Sequence, residues 1–143
     1  MALPFFSTAI RGLRRTWWAL AVVLVFWATA AKCFHAYIHH PWLDMPTHFA
    51  GGMAISYFFS AAIEEAAEFL GQTPLPIRLI SSVGLTALAA VVWEFLEFLS
   101  DRFLQSHLNL GVTDTLSDLF FGVTGGVVTA AVIGLAGRRA NGA

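Results

Sequence analysis

The chain has 143 residues, of which 57% are hydrophobic and 12% are charged, and its mean hydropathy is +0.70. Soluble domains carry about a quarter charged residues, so this composition excludes a water-soluble fold and predicts a membrane protein whose main partner is the lipid bilayer. The formal net charge of −1 provides no basic field for a polyanion, so no nucleic-acid partner is expected. The single cysteine, Cys33, excludes an internal disulfide and a cysteine-based zinc cage.

Four segments are long and apolar enough to cross a bilayer, whose hydrocarbon core needs roughly 20 residues per helix. They predict transmembrane helices at about 13–37, 45–70, 77–103 and 113–137. The first helix follows Arg11, Arg14 and Arg15, and no small-residue cleavage signature comes after it, so we expect it to be retained. The loop at 71–76 contains a glycine and two prolines, which end one helix and precede the next.

The cationic residues predict the orientation of this bundle, because Lys and Arg beside membrane spans are retained on the cytoplasmic side. With four spans, six arginines fall on one side of the membrane, and Lys32 and Arg102 fall on the other. We therefore expect both termini in the cytoplasm and the loops at 39–44 and 104–112 outside. Residues 1–143 are expected to form one all-α domain, a four-transmembrane-helix bundle.

Ionisable residues interrupt the apolar runs at one common depth. A charged side chain in the bilayer costs at least a few kcal/mol, so such residues usually face the bundle interior and mark function. Within each helix their spacing of three or four places them on one face. The residues are Asp44 and His48 on the second predicted helix, Glu94, Glu97 and Asp101 on the third, and Asp114 and Asp118 on the fourth. Because the second and fourth helices enter from outside and the third leaves toward it, all seven are expected to converge in the outer half of the membrane.

Small residues continue the same faces. Since small side chains let helices approach closely in lipid, these faces are expected to touch one another. The residues are Gly51 and Gly52 beyond His48, Ala87 and Ala90 before Glu94, and Gly122 and Gly125 beyond Asp118.

Three of the acidic residues have a simpler interpretation. Asp44 is a natural helix N-cap, Asp114 would favour the positive end of a helix dipole, and Asp101 beside Arg102 can be solvated. The sequence therefore predicts an inner group of metal ligands or acid/base groups and an outer rim. The inner group is His48, Glu94, Glu97 and Asp118, and the rim is Asp44, Asp101 and Asp114. A buried polar network that only holds the bundle together is the alternative for the inner group.

Other ionisable residues are weaker candidates. Glu64, Glu65 and Glu68 lie at the inner end of the second helix, where a solvated face is expected, or neutralisation of Arg78 and the terminal arginines. His35 and His39 are four apart at the outer interface and could bind a metal, but an interfacial pair beside Trp42 needs no ligand.

Carboxylates in close quarters repel one another, so the inner group requires either shared protons or a bound cation. A shell of carboxylates and one histidine suits a divalent metal, Mg²⁺, Mn²⁺, Zn²⁺ or Fe²⁺. A metal at this depth can activate water or clamp a phosphate of a lipid or envelope intermediate. Without a metal, the same residues suit a proton- or ion-coupled carrier, or an accessory subunit of a membrane complex. Four spans leave little room for a transport path in a monomer, so a homo-oligomer or larger complex is a further expectation.

The order of these motifs resembles the YjdF-like group of small bacterial inner-membrane proteins and, more distantly, the VanZ-like proteins. The resemblance rests on Asp44-Met-Pro-Thr-His48, Trp93-Glu94-Phe-Leu-Glu97 and Gly111-Val-Thr-Asp114-Thr115-Leu-Ser-Asp118. It implies a multi-pass protein of the bacterial cytoplasmic membrane with a four- or five-helix core, and it implies no particular activity. The last segment also matches half of the CDP-alcohol phosphotransferase signature, but the other half is absent, so membership of that family is rejected.

Overall fold

The computed structural model describes residues 2–32, 39–67, 71–104 and 111–141. These ranges are helical and contain no strand, which confirms the all-α prediction for the described part of the chain. The four long helices are α1 (Ala2–Lys32), α2 (Asp44–Glu65), α3 (Leu75–Leu104) and α4 (Val112–Asn141), and a short 3-10 turn at Pro41–Leu43 precedes α2.

The helix ends differ most from prediction where arginines border an apolar run. The prediction began the first helix at residue 13 and ended the last at 137, whereas α1 begins at Ala2 and α4 continues to Asn141. Arginine is a good helix former, so a cluster of arginines ends the apolar run without ending the helix. The prediction continued the second helix to 70, whereas α2 ends at Glu65, with a turn at Ala66 and a helical residue at 67. The predicted helical residues 33–37 and 68–70 lie outside the described residues.

Small and polar residues line the interior of the bundle, whereas its outer surface is apolar. Ser56 and Ser82 are fully buried, and Thr86 is 1% exposed, whereas Val22 is 63% exposed and Phe103 75%. In water this arrangement would expose a large apolar surface. In a bilayer the lipid tails solvate the outer side chains, and small inner residues let the helices pack closely.

The buried hydroxyl groups are hydrogen-bonded to backbone carbonyls. Within α3, Thr86 Oγ1 donates to Ser82 O at 2.8 Å. Between α2 and α4, Ser56 Oγ donates to Gly126 O at 3.1 Å and Thr129 Oγ1 donates to Met53 O at 3.3 Å. These bonds satisfy polar groups that lipid cannot hydrate, and two of them link α2 to α4.

Helix α2 packs against α1, α3 and α4, and its closest approach is to α4. A Cβ added to Gly52 would overlap the carbonyl of Gly122, and one added to Gly125 would overlap the carbonyl of Phe49. On the other side of α4, a Cβ at Gly122 would lie 3.6 Å from Ala90 Cβ on α3. The predicted contact between the small-residue faces is therefore confirmed at Gly52, Ala90, Gly122 and Gly125, whereas a Cβ at Gly51 would face Val23 of α1.

Two of the described helices are long and apolar enough to cross a membrane, namely Leu75–Leu104 and the part of α4 at Val112–Gly137.

Candidate metal centre

Three helices contribute side chains to one cluster at the end of the bundle where α2 and α4 begin and α3 approaches its end. His48 comes from the first turns of α2, Glu94 and Glu97 from α3, and Asp118 from the second turn of α4. One ligand atom from each residue lies within 4.8 Å of the others. The structure thus brings together the four residues that the sequence placed in the inner group. Their role as ligands stays a prediction.

The carboxylates of this cluster are buried. Glu94 and Glu97 are each 7% exposed, and Asp118 is 1% exposed. Both oxygens of Glu94 and Oδ2 of Asp118 have no hydrogen-bond partner among the described residues. The Thr115 hydroxyl interacts electrostatically with Glu94, but it does not reach hydrogen-bonding geometry with either oxygen. Carboxylates that are buried without hydrogen-bond partners need a proton or a cation to offset their charge.

The His48 imidazole lies between an outer and an inner carboxylate. Its Nε2 is 3.5 Å from Asp44 Oδ1 and 3.9 Å from Asp118 Oδ1. Both distances exceed an ordinary N–H···O hydrogen bond of about 2.7–3.2 Å, so Nε2 faces the cluster without being engaged in a short bond. The N-cap of α2 is Leu43, so the interpretation of Asp44 as this helix's N-cap is wrong. Asp44 lies in the first turn and faces His48.

The rim residues differ from one another. Asp44 and Asp114 form a second group with Asp118, in which ligand atoms again lie within 4.8 Å of one another. Asp114 lies in the first turn of α4, as the dipole interpretation expected. Asp101 is half-buried one turn beyond Glu97 and belongs to neither group of described residues. Six of the seven predicted residues therefore meet, with Asp118 joining the two groups.

Trp93 is a contact of the cluster for which the sequence analysis predicted no role. Its Nε1 donates a hydrogen bond of 2.8 Å to Glu97 Oε1. The signal was present in the sequence, because residues four apart lie on one face of a helix. The bond holds one oxygen of Glu97 in place.

The opposite end of the bundle holds ion pairs. Glu64 lies 2.7 Å from Arg15 on α1 and 2.7 Å from Arg78 on α3, and Arg11 lies 3.4 Å from Glu65. Glu64 and Glu65 are therefore neutralised by arginines rather than only solvated. His39 is exposed, and His35 and Glu68 lie outside the described residues.

The apolar exterior, the two helices that are long and apolar enough to cross a membrane, and the buried polar cluster are typical of a helical membrane protein with a polar site between its helices. The chain belongs to the family described as "Predicted membrane protein (DUF2238)", whose profile matches residues 1–139. No curated protein and no solved structure matches the chain. The family confirms the prediction of a membrane protein, while the YjdF-like and VanZ-like resemblance stays a prediction.

Proposed function

We propose that His48, Glu94, Glu97 and Asp118 bind one divalent metal ion, with Asp44 and Asp114 on the rim beside it and Asp101 further out. The observation that supports this most strongly is the combination of proximity and burial. Four ligand atoms from three helices lie within 4.8 Å of one another. Both oxygens of Glu94 and Oδ2 of Asp118 are buried without hydrogen-bond partners among the described residues.

The charge of the cluster requires a bound cation or shared protons. Three ionised carboxylates and one imidazole carry an excess of negative charge even when the imidazole is protonated. Removing such charges from water costs several kcal/mol per ion, and a divalent cation offsets that cost directly. Shared protons would also lower the charge, and a protonated carboxyl group can donate a hydrogen bond to a neighbouring carboxylate, so the metal content of the protein distinguishes the two states.

The donor set and its spacing fit a first-row metal. One imidazole with several carboxylates suits Mn²⁺, Fe²⁺ or Zn²⁺, and carboxylates also hold Mg²⁺. Ligand atoms at about 2.0–2.2 Å from one ion are at most about 4.4 Å apart. The cluster, whose atoms lie within 4.8 Å of one another, therefore closes on an ion with side-chain movements of less than about 1 Å.

The arginine distribution supports an outward-facing site. In this proposal all four helices span the bacterial cytoplasmic membrane, the ion-paired end that holds Arg15 and Arg78 faces the cytoplasm, and the cluster lies in the outer half. A metal at that depth meets lipid head groups, where it can hold an anionic group or activate water. The protein would then act on a lipid or envelope intermediate.

Metal analysis of detergent-purified protein tests the proposal. We expect wild-type protein, dialysed against Mn²⁺ or Zn²⁺ and then desalted, to retain one ion per chain. Glu97→Gln and Asp118→Asn are expected to retain less than a tenth of that amount. Glu64→Gln removes a carboxylate at the opposite end of the bundle and serves as the matched control with full metal content.

The elution volume and thermal transition of each variant show whether it is folded. Wild-type protein that binds either metal no more tightly than folded Glu97→Gln and Asp118→Asn would overturn the proposal.

A further inference from the structure

A cleft borders the metal cluster. Its volume is about 280 Å³, and it lies between α1, α2 and α3. Along α2 it extends from Thr47 to Ile55, which at about 1.5 Å per residue is a length of roughly 12 Å. His48 lines one end of the cleft and is also a member of the cluster. The cleft and the proposed metal centre are therefore adjoining parts of one site.

The lining of the cleft is suited to hydrocarbon. Apolar side chains of α1, among them Val23 and Trp27, face Ala89 and Trp93 of α3 across it. The hydroxyl groups of Thr47 and Thr86 already donate hydrogen bonds to carbonyls of their own helices. Among the described residues that line the cleft, His48 is thus the one whose polar side chain has no short hydrogen bond. It lies at the end of the cleft that is next to the carboxylates.

The size of the cleft and its opening also fit a lipid chain. An enclosed apolar cavity of about 150 Å³ holds a benzene molecule, so about 280 Å³ accommodates roughly twice that number of carbon atoms. Leu24 lines the cleft and is 53% exposed on the outer surface of the bundle. The cleft therefore opens sideways toward the bilayer, through which a lipid chain can enter.

From these features we infer that the site binds a lipid with its hydrocarbon chain in the cleft and an anionic, phosphate-bearing head group at the metal. This inference rests on the proposed function, because the carboxylate cluster alone would repel a phosphate, whereas the same cluster holding a divalent cation attracts one. Lipid binding should therefore require the metal, while metal binding should not require the lipid.

Substitutions in the cleft and in the cluster separate lipid binding from metal binding. Ala89→Phe fills the cleft without changing the charge of the cluster, and Ala89→Leu does so with a smaller side chain. Ala131 is an exposed residue of α4, so Ala131→Phe makes the same change on the outer surface of the bundle. Glu97→Gln removes a proposed metal ligand and leaves the apolar lining intact.

Native mass spectrometry of the Mn²⁺-loaded protein can count bound lysophosphatidic acid, a single-chain lipid with a phosphate monoester, against lysophosphatidylcholine. Wild type and Ala131→Phe are expected to bind one lysophosphatidic acid at least tenfold more tightly than lysophosphatidylcholine. Ala89→Phe should lose tenfold or more of that affinity and keep its Mn²⁺, with Ala89→Leu intermediate. Glu97→Gln should lose both ligands.

Unchanged lysophosphatidic acid binding in metal-loaded Ala89→Phe and Ala89→Leu would overturn the inference and leave the metal site standing. Equal binding of the two lipids would overturn the assignment of the head group. Wild-type protein that binds the lipid without holding Mn²⁺ would overturn both the metal proposal and the inference built on it. If Ala89→Phe does not fold, as judged by its elution volume, the comparison of Ala89→Leu with Ala131→Leu decides.

Discussion

Trp93 and Glu97, one turn apart on α3, are joined by a hydrogen bond of 2.8 Å from the indole nitrogen to the carboxylate. The same indole lines the apolar cleft and packs edge-on against Trp27 of α1, with ring centroids 5.9 Å apart. Trp93 therefore couples the two parts of the site, because packing in the cleft orients the ring and the ring in turn orients a proposed metal ligand.

Replacing Trp93 with phenylalanine should weaken metal binding while preserving most of the packing. Loss of a group that orients a metal ligand typically lowers affinity about 10- to 100-fold, so we expect the Kd for Mn²⁺ of Trp93→Phe to rise by at least about tenfold. Isothermal titration calorimetry of the detergent-purified protein measures it. Trp17→Phe, on an exposed part of α1, is the matched control, and equal Kd values for the two variants would contradict this role of Trp93.

The inner and rim carboxylates should differ in their effect on metal binding. Asp118 is 1% exposed and belongs to both groups of ligand atoms, whereas Asp114 is half-buried and belongs only to the outer one. We expect Asp118→Asn to raise the Mn²⁺ Kd by about two orders of magnitude and Asp114→Asn by less than about tenfold. The same titration compares them, and a larger effect at Asp114 would place the ion at the rim.

The sequence predicted the helical class and the meeting of the acidic faces because both follow from periodicity. His48 and Gly52 share a face of α2, as do Asp118 and Gly122 on α4, so the contact between the glycines at once predicts the proximity of the ionisable residues. These local patterns hold in the folded protein because small residues allow helices to approach closely in lipid.

Other features depend on information that periodicity does not carry. The prediction began the first helix too late, because the arginines were taken to mark the end of the helix. They mark only the end of the apolar run, and α1 begins at Ala2. The bond between Trp93 and Glu97 depends on side-chain rotamers. The separation of Asp101 from the cluster depends on where α3 passes the ends of α2 and α4, which is set by packing along the full length of the bundle.

Gly52→Ala should destabilise the bundle through the contact between α2 and α4. The added methyl group would overlap the backbone carbonyl of Gly122, which no side-chain rotation relieves, so the helices must separate. Overpacking of this kind costs about 1–3 kcal/mol, and the thermal midpoint in detergent should fall. Gly84 has nothing within 4 Å of an added Cβ, so Gly84→Ala should instead gain roughly 0.5–1 kcal/mol from helix propensity. A midpoint for Gly52→Ala at or above that of wild type would show that the helices tolerate greater separation.

The ion pairs of Glu64 should contribute modestly and depend on salt. Glu64 lies 2.7 Å from both Arg15 and Arg78, but its side chain is 45% exposed. Exposed pairs are worth about 0.2–1 kcal/mol each, so Glu64→Gln should lower the free energy of unfolding by about 1 kcal/mol at low ionic strength.

Above about 1 M salt, where charges are screened within about 3 Å, the difference between wild type and Glu64→Gln should shrink by more than half. Chemical denaturation in mixed micelles at low and high salt measures this difference. A salt-independent loss would mean that Glu64 acts through packing rather than charge.

The proposed orientation predicts which loops are accessible from outside the cell. His40 precedes α2, at the end of the bundle that holds the carboxylate cluster, and Gln72 lies between α2 and α3 at the ion-paired end; both are exposed. In a Cys33→Ala background, a membrane-impermeant maleimide should label His40→Cys in intact cells and should label Gln72→Cys only after the membrane is permeabilised. This follows because the arginines that surround Glu64 favour the cytoplasmic side. Labelling in the reverse order would place the carboxylate cluster on the cytoplasmic side, where its substrate would have to be a lipid of the inner leaflet.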